Sequence, residues 1–260
     1  IKYASSNWNS GTIHANSVIS ITDSIISENL GNGIFLGTTG NTIKNNIISN
    51  NQGAAVYTDP NNSDAFFRDN QAFGNHINGI HVNAINKILY GNISWNAELP
   101  YVIDHSSSIY GNRHGLIIGS RSILNIMPGT IVKFRHSNCW GEGIPCYQGQ
   151  IEVKGALIAD GTKNKNIIFT SVRDDEYGGD TNNDSDKSSP KKGDWAWIKF
   201  QNDSFGVIDH SAIRYGGLFH SISLGMGSNS NEGSICVNDA SSVTISSSTI
   251  LSNCDGIKIN

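Results

Sequence analysis

The chain has 260 residues, of which 37% are hydrophobic and only 15% are charged, and its formal net charge is −4. It contains no run of lysine and arginine, which argues against a nucleic-acid partner because phosphate binding requires clustered cations. No apolar stretch reaches the roughly 18 residues of a transmembrane helix. The surface must therefore be built largely from uncharged polar residues, chiefly Asn, Ser, Thr and Gly.

Short phrases recur along the chain at intervals of about 20 to 25 residues, which is typical of a solenoid. Within each interval, runs of four or five residues with alternating apolar side chains are separated by turns of Asn, Gly and Ser. One set of phrases occupies residues 24–29, 46–51, 92–96 and 249–253, and a second occupies residues 32–36, 53–57 and 78–82. A single coil cannot bury its apolar face, so the coils must stack edge to edge.

These features predict an all-β protein, a single-stranded right-handed parallel β-helix with about ten coils and one long polar loop. We expect one continuous solenoid over residues 1–260, with short Asn-rich coils in 1–115 and longer coils in 116–260. Asparagines at equivalent turns are expected to form hydrogen-bond ladders between coils. Since residues 257–260 stop inside a coil without a polar cap, we expect a longer parent protein or end-to-end contacts.

Alignment of the coils predicts an outward-facing column of side chains formed by Phe35, Ala55, His81, Tyr101 and Ile117. Rings exposed on a flat sheet suit a sugar chain, because exposed apolar columns usually mark a partner. Phe35, His81 and Tyr101 are therefore predicted to bind polysaccharide. The alternative is that a neighbouring loop or domain covers the column.

The phrase Val-Ile-Asp-His-Ser occurs twice, and its second copy, residues 207–211, is expected to be structural. The first copy adjoins the predicted column. There Asp104 or His105 is a candidate general base, with Arg113 or His114 near it one turn later.

Residues 173–193 form a polar insertion in which oxygen-bearing side chains recur at alternate positions, as at the start of a calcium loop. The predicted ligands are Asp180, Asn182, Asp184 and Asp186, with Asp174, Asp175 or Glu176 completing the shell. The loop is not an EF-hand, because Lys191 stands where that loop has its bidentate Glu. We expect a structural calcium ion, and the alternative is a flexible acidic loop.

The spacing of the four cysteines does not fit zinc ligands. It predicts one local disulfide within a loop, and for the second pair a disulfide that links neighbouring coils. Cys139 and Cys146 bracket a short loop, and Cys236 and Cys254 are close to one coil apart. The alternative for the second pair is two free thiols. Disulfides predict a protein outside the reducing cytosol, either extracellular or on the cell surface.

Residues 124–217 resemble the pectin-lyase-like right-handed parallel β-helix superfamily, of the type found in bacterial and archaeal surface proteins. The matching phrases are residues 127–134, 155–162, 168–171, 193–200 and 213–217. The Asn-rich first third resembles the β-helix repeats of periplasmic copper-processing and carbohydrate-binding proteins. The resemblance implies the fold, while the superfamily includes lyases, hydrolases, adhesins and passive surface proteins.

Together these features predict an extracellular domain that engages a polysaccharide, either as a polysaccharide lyase or as a glycoside hydrolase. The sequence shows neither the calcium-binding acidic cluster of pectate-type lyases nor the paired carboxylates and Gly-His-Gly phrase of related hydrolases. The alternative is therefore a non-catalytic carbohydrate-binding, adhesive or structural surface module stabilised by calcium.

Overall fold

The computed structural model describes residues 11–85, 87–96, 98–104, 115–135, 148–217, 233–239 and 242–259. These residues form short strands joined by turns, with one 3₁₀ segment at Pro60–Asn62. Within this described part, no helix is long and apolar enough to span a bilayer.

The strands of the first four coils are β1 (Gly11–Ala15), β2 (Ser20–Thr22), β3 (Ile25–Ser27), β4 (Asn32–Leu36), β5 (Thr42–Lys44), β6 (Ile47–Ser49), β7 (Ala54–Thr58), β8 (Phe66–Arg68), β9 (Gln71–Phe73), β10 (Ile77–Val82), β11 (Ile88–Leu89) and β12 (Asn92–Trp95). The later coils contain β13 (Tyr101–Ile103), β14 (Leu116–Ile118), β15 (Ile123–Ile126), β16 (Ile131–Phe134), β17 (Ile151–Val153), β18 (Ala156–Asp160), β19 (Ile167–Ser171), β20 (Ile198–Phe200), β21 (Phe205–Asp209), β22 (Ser211–Arg214), β23 (Ile235–Val237), β24 (Ser242–Ser246), β25 (Thr249–Leu251) and β26 (Ile257–Ile259).

Within each sheet, a strand pairs in parallel with the strand that comes three places later in the chain, as a stack of three-stranded coils requires. The long sheet has nine strands in the order β1-β4-β7-β10-β13-β16-β19-β22-β25. The other strands form sheets β11-β14-β17-β20-β23-β26, β12-β15-β18-β21-β24, β2-β5-β8 and β3-β6-β9. The described residues thus form a parallel β-helix with nine coils along its long sheet.

The register of the long sheet confirms the predicted interval in the early coils. Ile34 pairs with Val56, and Val56 pairs with Ile80, so each step falls within the expected interval of about 20 to 25 residues. Later steps are longer, as the pairing of Phe169 with Ile213 shows, because long turns are inserted between the strands.

Alternating side chains fill the interior of the solenoid. In β15, Leu124 and Ile126 are buried whereas Ile123 and Asn125 are partly exposed. The largest interior side chains are aromatic and stack in pairs. Trp95 lies on Tyr101 with ring centroids 4.4 Å apart, and Phe134 lies on Trp195 at 4.3 Å. Tyr101 is fully buried, so its prediction as an outward binding residue is wrong.

The predicted asparagine ladders are present at two turns. The side-chain amide of Asn29 donates to Oδ1 of Asn51 at 2.7 Å, and that of Asn51 donates to Oδ1 of Asn75 at 2.8 Å. A second ladder joins Asn46 to Asn70 at 3.0 Å. These asparagines are buried, and their mutual bonds satisfy polar groups that would otherwise lose their hydration.

The predicted disulfide between Cys236 and Cys254 is wrong, because both are free thiols. Strand β23 pairs with β26 so that Cys236 lies beside Lys258, while Cys254 belongs to the turn before β26. The two sulfur atoms therefore occupy different positions of the coil. Cys139 and Cys146 lie outside the described residues.

Candidate functional site

Four rings stand side by side on the outer face of the long sheet. The register places His14 beside Phe35, Phe35 beside Tyr57 and Tyr57 beside His81. Their successive ring centroids are 4.2, 5.7 and 5.1 Å apart. These spacings follow from the distance of about 4.8 Å between neighbouring strands, since each coil contributes one ring. We call His14, Phe35, Tyr57 and His81 the ring ladder.

The ring ladder differs in part from the predicted column. Phe35 and His81 belong to it, but Ala55 and Tyr101 are buried in the core, and Ile117 belongs to the sheet that contains β14. A shift of one residue along a strand moves a side chain to the opposite face. Phe35 and Tyr57 are separated by the same interval as Ile34 and Val56. Aligning the two apolar phrases on Ile34 and Val56 would therefore have placed Tyr57 next to Phe35.

The ring ladder borders a groove of ≈ 630 Å³, which Phe35, Tyr57 and His81 line. Its charged and titratable lining residues are Asp59, His76, Lys87, Asp104 and Arg135. Because the rings pack against one another, they form a continuous apolar strip whose polar tips lie close to these charged groups. The groove therefore combines a rigid apolar strip with several hydrogen-bonding groups.

Three residues from three coils meet at one end of the groove. Oδ2 of Asp104 lies 3.1 Å from Nε2 of His81, and Oδ1 of Asp104 accepts a hydrogen bond from Arg135 at 3.3 Å. The side chains of His81 and Asp104 are only 12% and 13% exposed. Both oxygens of Asp104 thus have partners, so its position suits orienting His81 better than acting as the base itself. His105, Arg113 and His114 lie outside the described residues.

The hydroxyl of Tyr57 remains protonated at neutral pH. Burial, together with the nearby carboxylates of Asp59 and Asp104, raises the pKa of Tyr57 to about 12. Lys87 forms an ion pair with Asp59 on the same side of the groove. Tyr57 therefore offers a hydrogen-bond donor beside a neutralised pair of charges.

His76 is neutral at physiological pH, because desolvation and the nearby Arg135 and His81 lower its pKa. The remaining charges of the groove are paired, Asp59 with Lys87 and Asp104 with Arg135. At neutral pH the groove thus presents many donors and acceptors but little net charge.

The polar insertion covers the outer face of the long sheet beyond the groove. The backbone N–H of Asn78 donates to Thr181 O, and its side chain donates to Asp180 O, each at 2.8 Å. The buried Lys133 donates through Nζ to Asp174 O at 2.9 Å and to Gly179 O at 3.0 Å. The insertion therefore contacts Asn78 of β10 and Lys133 of β16, neither of which belongs to the predicted column.

Part of the predicted calcium site is assembled in this insertion. Carboxylate oxygens of Asp175, Asp180 and Asp184 lie within 4.8 Å of one another. Asn182 donates to Oδ2 of Asp184 at 2.7 Å, and Asp186 lies close enough to Asp175 to help raise its pKa. Five of the seven residues named as candidate ligands are thus close together, whereas Asp174 and Glu176 interact with Arg214.

Asp174 has a different environment from the other predicted ligands. Its Oδ2 accepts a hydrogen bond from Thr170 at 2.5 Å and lies 3.8 Å from Nε of Arg214. Its side chain therefore anchors the insertion to the long sheet.

The acidic cluster has the donor chemistry of a hard-cation site. Oδ1 of Asp175 and Oδ1 of Asn182 are buried and accept no hydrogen bond. Burial raises the pKa of Asp175, and the neighbouring Asp180 adds to this effect, whereas the Lys133 ammonium opposes it. Unpaired oxygens beside repelling carboxylates fit a calcium ion, with Asp175, Asp180, Asn182 and Asp184 as the residues that would hold it.

Comparison with known proteins supports the same architecture. Residues 2–94 match a family model described as right handed beta helix region. No curated protein and no solved structure matches the chain. Over its Asn-rich coils the chain is similar to right-handed β-helix proteins, and the continuous pairing of the long sheet carries the right-handed parallel β-helix fold onward to β25.

Proposed function

We propose that the groove beside the ring ladder binds a polysaccharide outside the cell. The observation that carries this proposal is the ring ladder itself, an apolar strip of four rings that repeats once per coil. A linear polymer that runs along the solenoid axis would meet an equivalent ring at each coil. Its apolar C–H surfaces would pack on the strip, and its hydroxyls would reach the polar side chains.

The polar groups of the groove suit a ligand rich in hydroxyls. The pairs of Asp59 with Lys87 and of Asp104 with Arg135 place acceptors next to donors. A hydroxyl both donates and accepts, so it can use such a pair without an unpaired charge becoming buried. This arrangement supports a carbohydrate ligand and also fits a non-catalytic binding or adhesive module.

The proposal is tested by affinity gel electrophoresis against a panel of soluble polysaccharides. We expect at least one polysaccharide to retard the wild-type protein, and Tyr57→Ala to abolish the retardation. The matched control is Phe73→Ala, because Phe73 is 49% exposed and lies on β9, away from the groove. The proposal fails if no polysaccharide retards the protein or if both variants migrate alike.

The contacts of His81 favour a second candidate, cleavage of the same polymer. Asp104 fixes Nε2 of the imidazole, so Nδ1 of His81 can accept a proton as a general base. In a lyase, His81 would remove the proton from the carbon α to a uronate carboxylate. A carbon–carbon double bond would form, the bond to the glycosidic oxygen would break, and the departing oxygen would take a proton from water. Incubation with polyuronates should then raise the ultraviolet absorbance of unsaturated ends, and His81→Ala should abolish this rise. Gel retardation of the same variant separates loss of cleavage from loss of binding. A flat trace, with no new reducing ends on other polysaccharides, would leave binding as the function.

We also propose that a calcium ion stabilises the polar insertion through Asp175, Asp180, Asn182 and Asp184. The support comes from the convergence of three carboxylates within 4.8 Å and from the unpaired oxygens of Asp175 and Asn182. The ion would fix the loop that covers the long sheet next to the groove.

A further inference from the structure

A second groove, of ≈ 790 Å³, lies at the corner of the solenoid that leads into β13, β16 and β19. The turns before these strands form its walls, and β8 contributes Phe66 and Arg68. We call it the corner groove. It shares no lining residue with the groove beside the ring ladder.

The floor of the corner groove is apolar and accessible. Phe66 is 47% exposed and Met127 is 46% exposed. Two large apolar side chains on one open surface are costly in water unless a partner covers them. Their position in a groove marks a binding surface rather than scattered exposure.

Lys163 and Lys165 line the same groove and lie on a tight turn. The backbone of Thr162 and that of Lys165 exchange hydrogen bonds of 3.1 and 2.9 Å. This turn fixes the backbone that carries Lys163 and Lys165, and both side chains are exposed. Among the described residues, no carboxylate lies within ion-pair distance of either lysine. The turn therefore presents two uncompensated positive charges to the groove.

The charge of the corner groove is opposite to that of the whole chain. Its lining contains Arg68, Lys163 and Lys165 but only one acidic residue, Glu98, while the chain carries a net charge of −4. Glu98 accepts a hydrogen bond from the backbone N–H of Asp69, and the carboxylate of Asp69 lies 3.3 Å from Nε of Arg68, so the positive charge of the groove comes from Lys163 and Lys165. A positive patch on an acidic protein attracts anionic partners.

We infer that the corner groove binds an anionic polysaccharide. Carboxylate or sulfate groups would contact Lys163 and Lys165, and a sugar ring would pack on Phe66 and Met127. An acidic peptide commonly binds by adding a strand to a free sheet edge. The strands β13, β16 and β19 beside this groove are each paired on both sides, so a peptide cannot add a strand to them. The inference extends the proposed polysaccharide binding to a second, charge-selective site.

The test uses the full chain with the double variant K163Q/K165Q. Its matched control is K191Q/K192Q, which removes the same charge from two exposed lysines outside the groove. The probes are alginate for carboxylates, dextran sulfate for sulfates, neutral dextran and polyglutamate. Titration calorimetry at low and high ionic strength measures the affinities.

We expect the wild-type protein to bind alginate or dextran sulfate, and K163Q/K165Q to weaken this binding about tenfold or more. The affinity should fall with salt, less steeply in K163Q/K165Q than in the control. The preferred probe identifies the anionic group. Equal affinities for the two double variants, no binding of either anionic polysaccharide, or equally tight binding of polyglutamate would overturn the inference.

This result is separable from the function of the ring ladder. Tyr57→Ala should leave the binding of the anionic probe unchanged, and K163Q/K165Q should leave retardation by the polysaccharide of the ladder unchanged. If Tyr57→Ala alone removed the binding of the anionic probe, the corner groove would not be its site.

Discussion

The imidazole of His81 lies 3.1 Å from the carboxylate of Asp104, a contact that joins one coil of the solenoid to the next at the side of the groove. Arg135 extends the contact to a third coil through the other oxygen of Asp104 at 3.3 Å. A single carboxylate thus determines the orientation of an imidazole and a guanidinium from the two neighbouring coils.

Replacement of Asp104 by Asn should impair binding more than folding. The amide keeps the shape of the side chain but removes the charge that pairs with Arg135, so the orientation of both neighbours is lost. We expect polysaccharide affinity to fall about tenfold and the free energy of unfolding to fall by about 1 kcal/mol, since the ion pair is partly exposed. Asp209→Asn is the control, because Asp209 pairs with His210 outside the groove. Equal affinities of the two variants would contradict the role of Asp104.

The ladder of Asn29, Asn51 and Asn75 should contribute strongly to stability. Asn51 donates to Asn75 at 2.8 Å and accepts from the side chain of Asn29 at 2.7 Å. In Asn51→Ala these buried partners lose their bonds, and each unsatisfied group costs about 1 to 3 kcal/mol. We expect the free energy of unfolding in urea to fall by about 3 kcal/mol, whereas Asn202→Ala, at an exposed turn, should have little effect. Similar midpoints for both variants would exclude a stabilising ladder.

The coil interval and the asparagine ladders could be predicted because their signals recur at nearly constant spacing. The face of a given side chain was harder to assign. The pairing of β7 with β10 shifts between Ile77 and Ile80, so His81 follows Tyr57 at a longer interval than Tyr57 follows Phe35. The predicted column placed Tyr101 next to His81, but the register of β10 and β13 pairs His81 with Val102 and Ile80 with Tyr101, so Tyr101 lies on the inner face.

The covering loop and the corner groove could not be predicted from local patterns. The contact between Asn78 and Asp180 joins residues 102 positions apart, and only the folded path of the chain brings them together. Likewise, Phe66 and Lys163 come from different coils, and neither stands in a phrase with an unusual composition. Their proximity depends on the shape of a corner, which the alternation of apolar residues does not encode.

Lys133 should make stability depend on alkaline pH. Burial lowers the pKa of Lys133 from 10.5 to about 8, although Asp175, Asp174 and Asp180 oppose the shift. Between these two values the unfolded chain binds more protons than the folded protein, so the contribution of Lys133 to stability rises with pH. Below about pH 8 the lysine is protonated in both states and its contribution is constant.

The measurement is the difference in free energy of unfolding between the wild type and Lys133→Met, in urea with a chelator present. This difference should shift in favour of the wild type as pH rises through the window between the two pKa values, by an amount on the order of 2 kcal/mol. The control Asn202→Met, at an exposed turn, removes no titratable group, so its difference should not change with pH. A constant difference for Lys133 would show that its ammonium is not destabilised by burial.

Calcium should raise the melting temperature through the acidic cluster. Bringing the carboxylates of Asp175, Asp180 and Asp184 within 4.8 Å of one another creates repulsion that a divalent cation relieves. At a concentration of about 100 times the dissociation constant, an ion that binds only the folded state stabilises it by about 2.7 kcal/mol, which corresponds to a rise of roughly 5 to 10 °C. Chelation should reverse this rise.

In Asp184→Asn the response to calcium should be lost, whereas Asp203→Asn, at an exposed turn away from the cluster, should retain it. If the wild type melts at the same temperature with calcium and with chelator, the insertion is held without the ion, by contacts such as those of Lys133 with Asp174 O and Gly179 O.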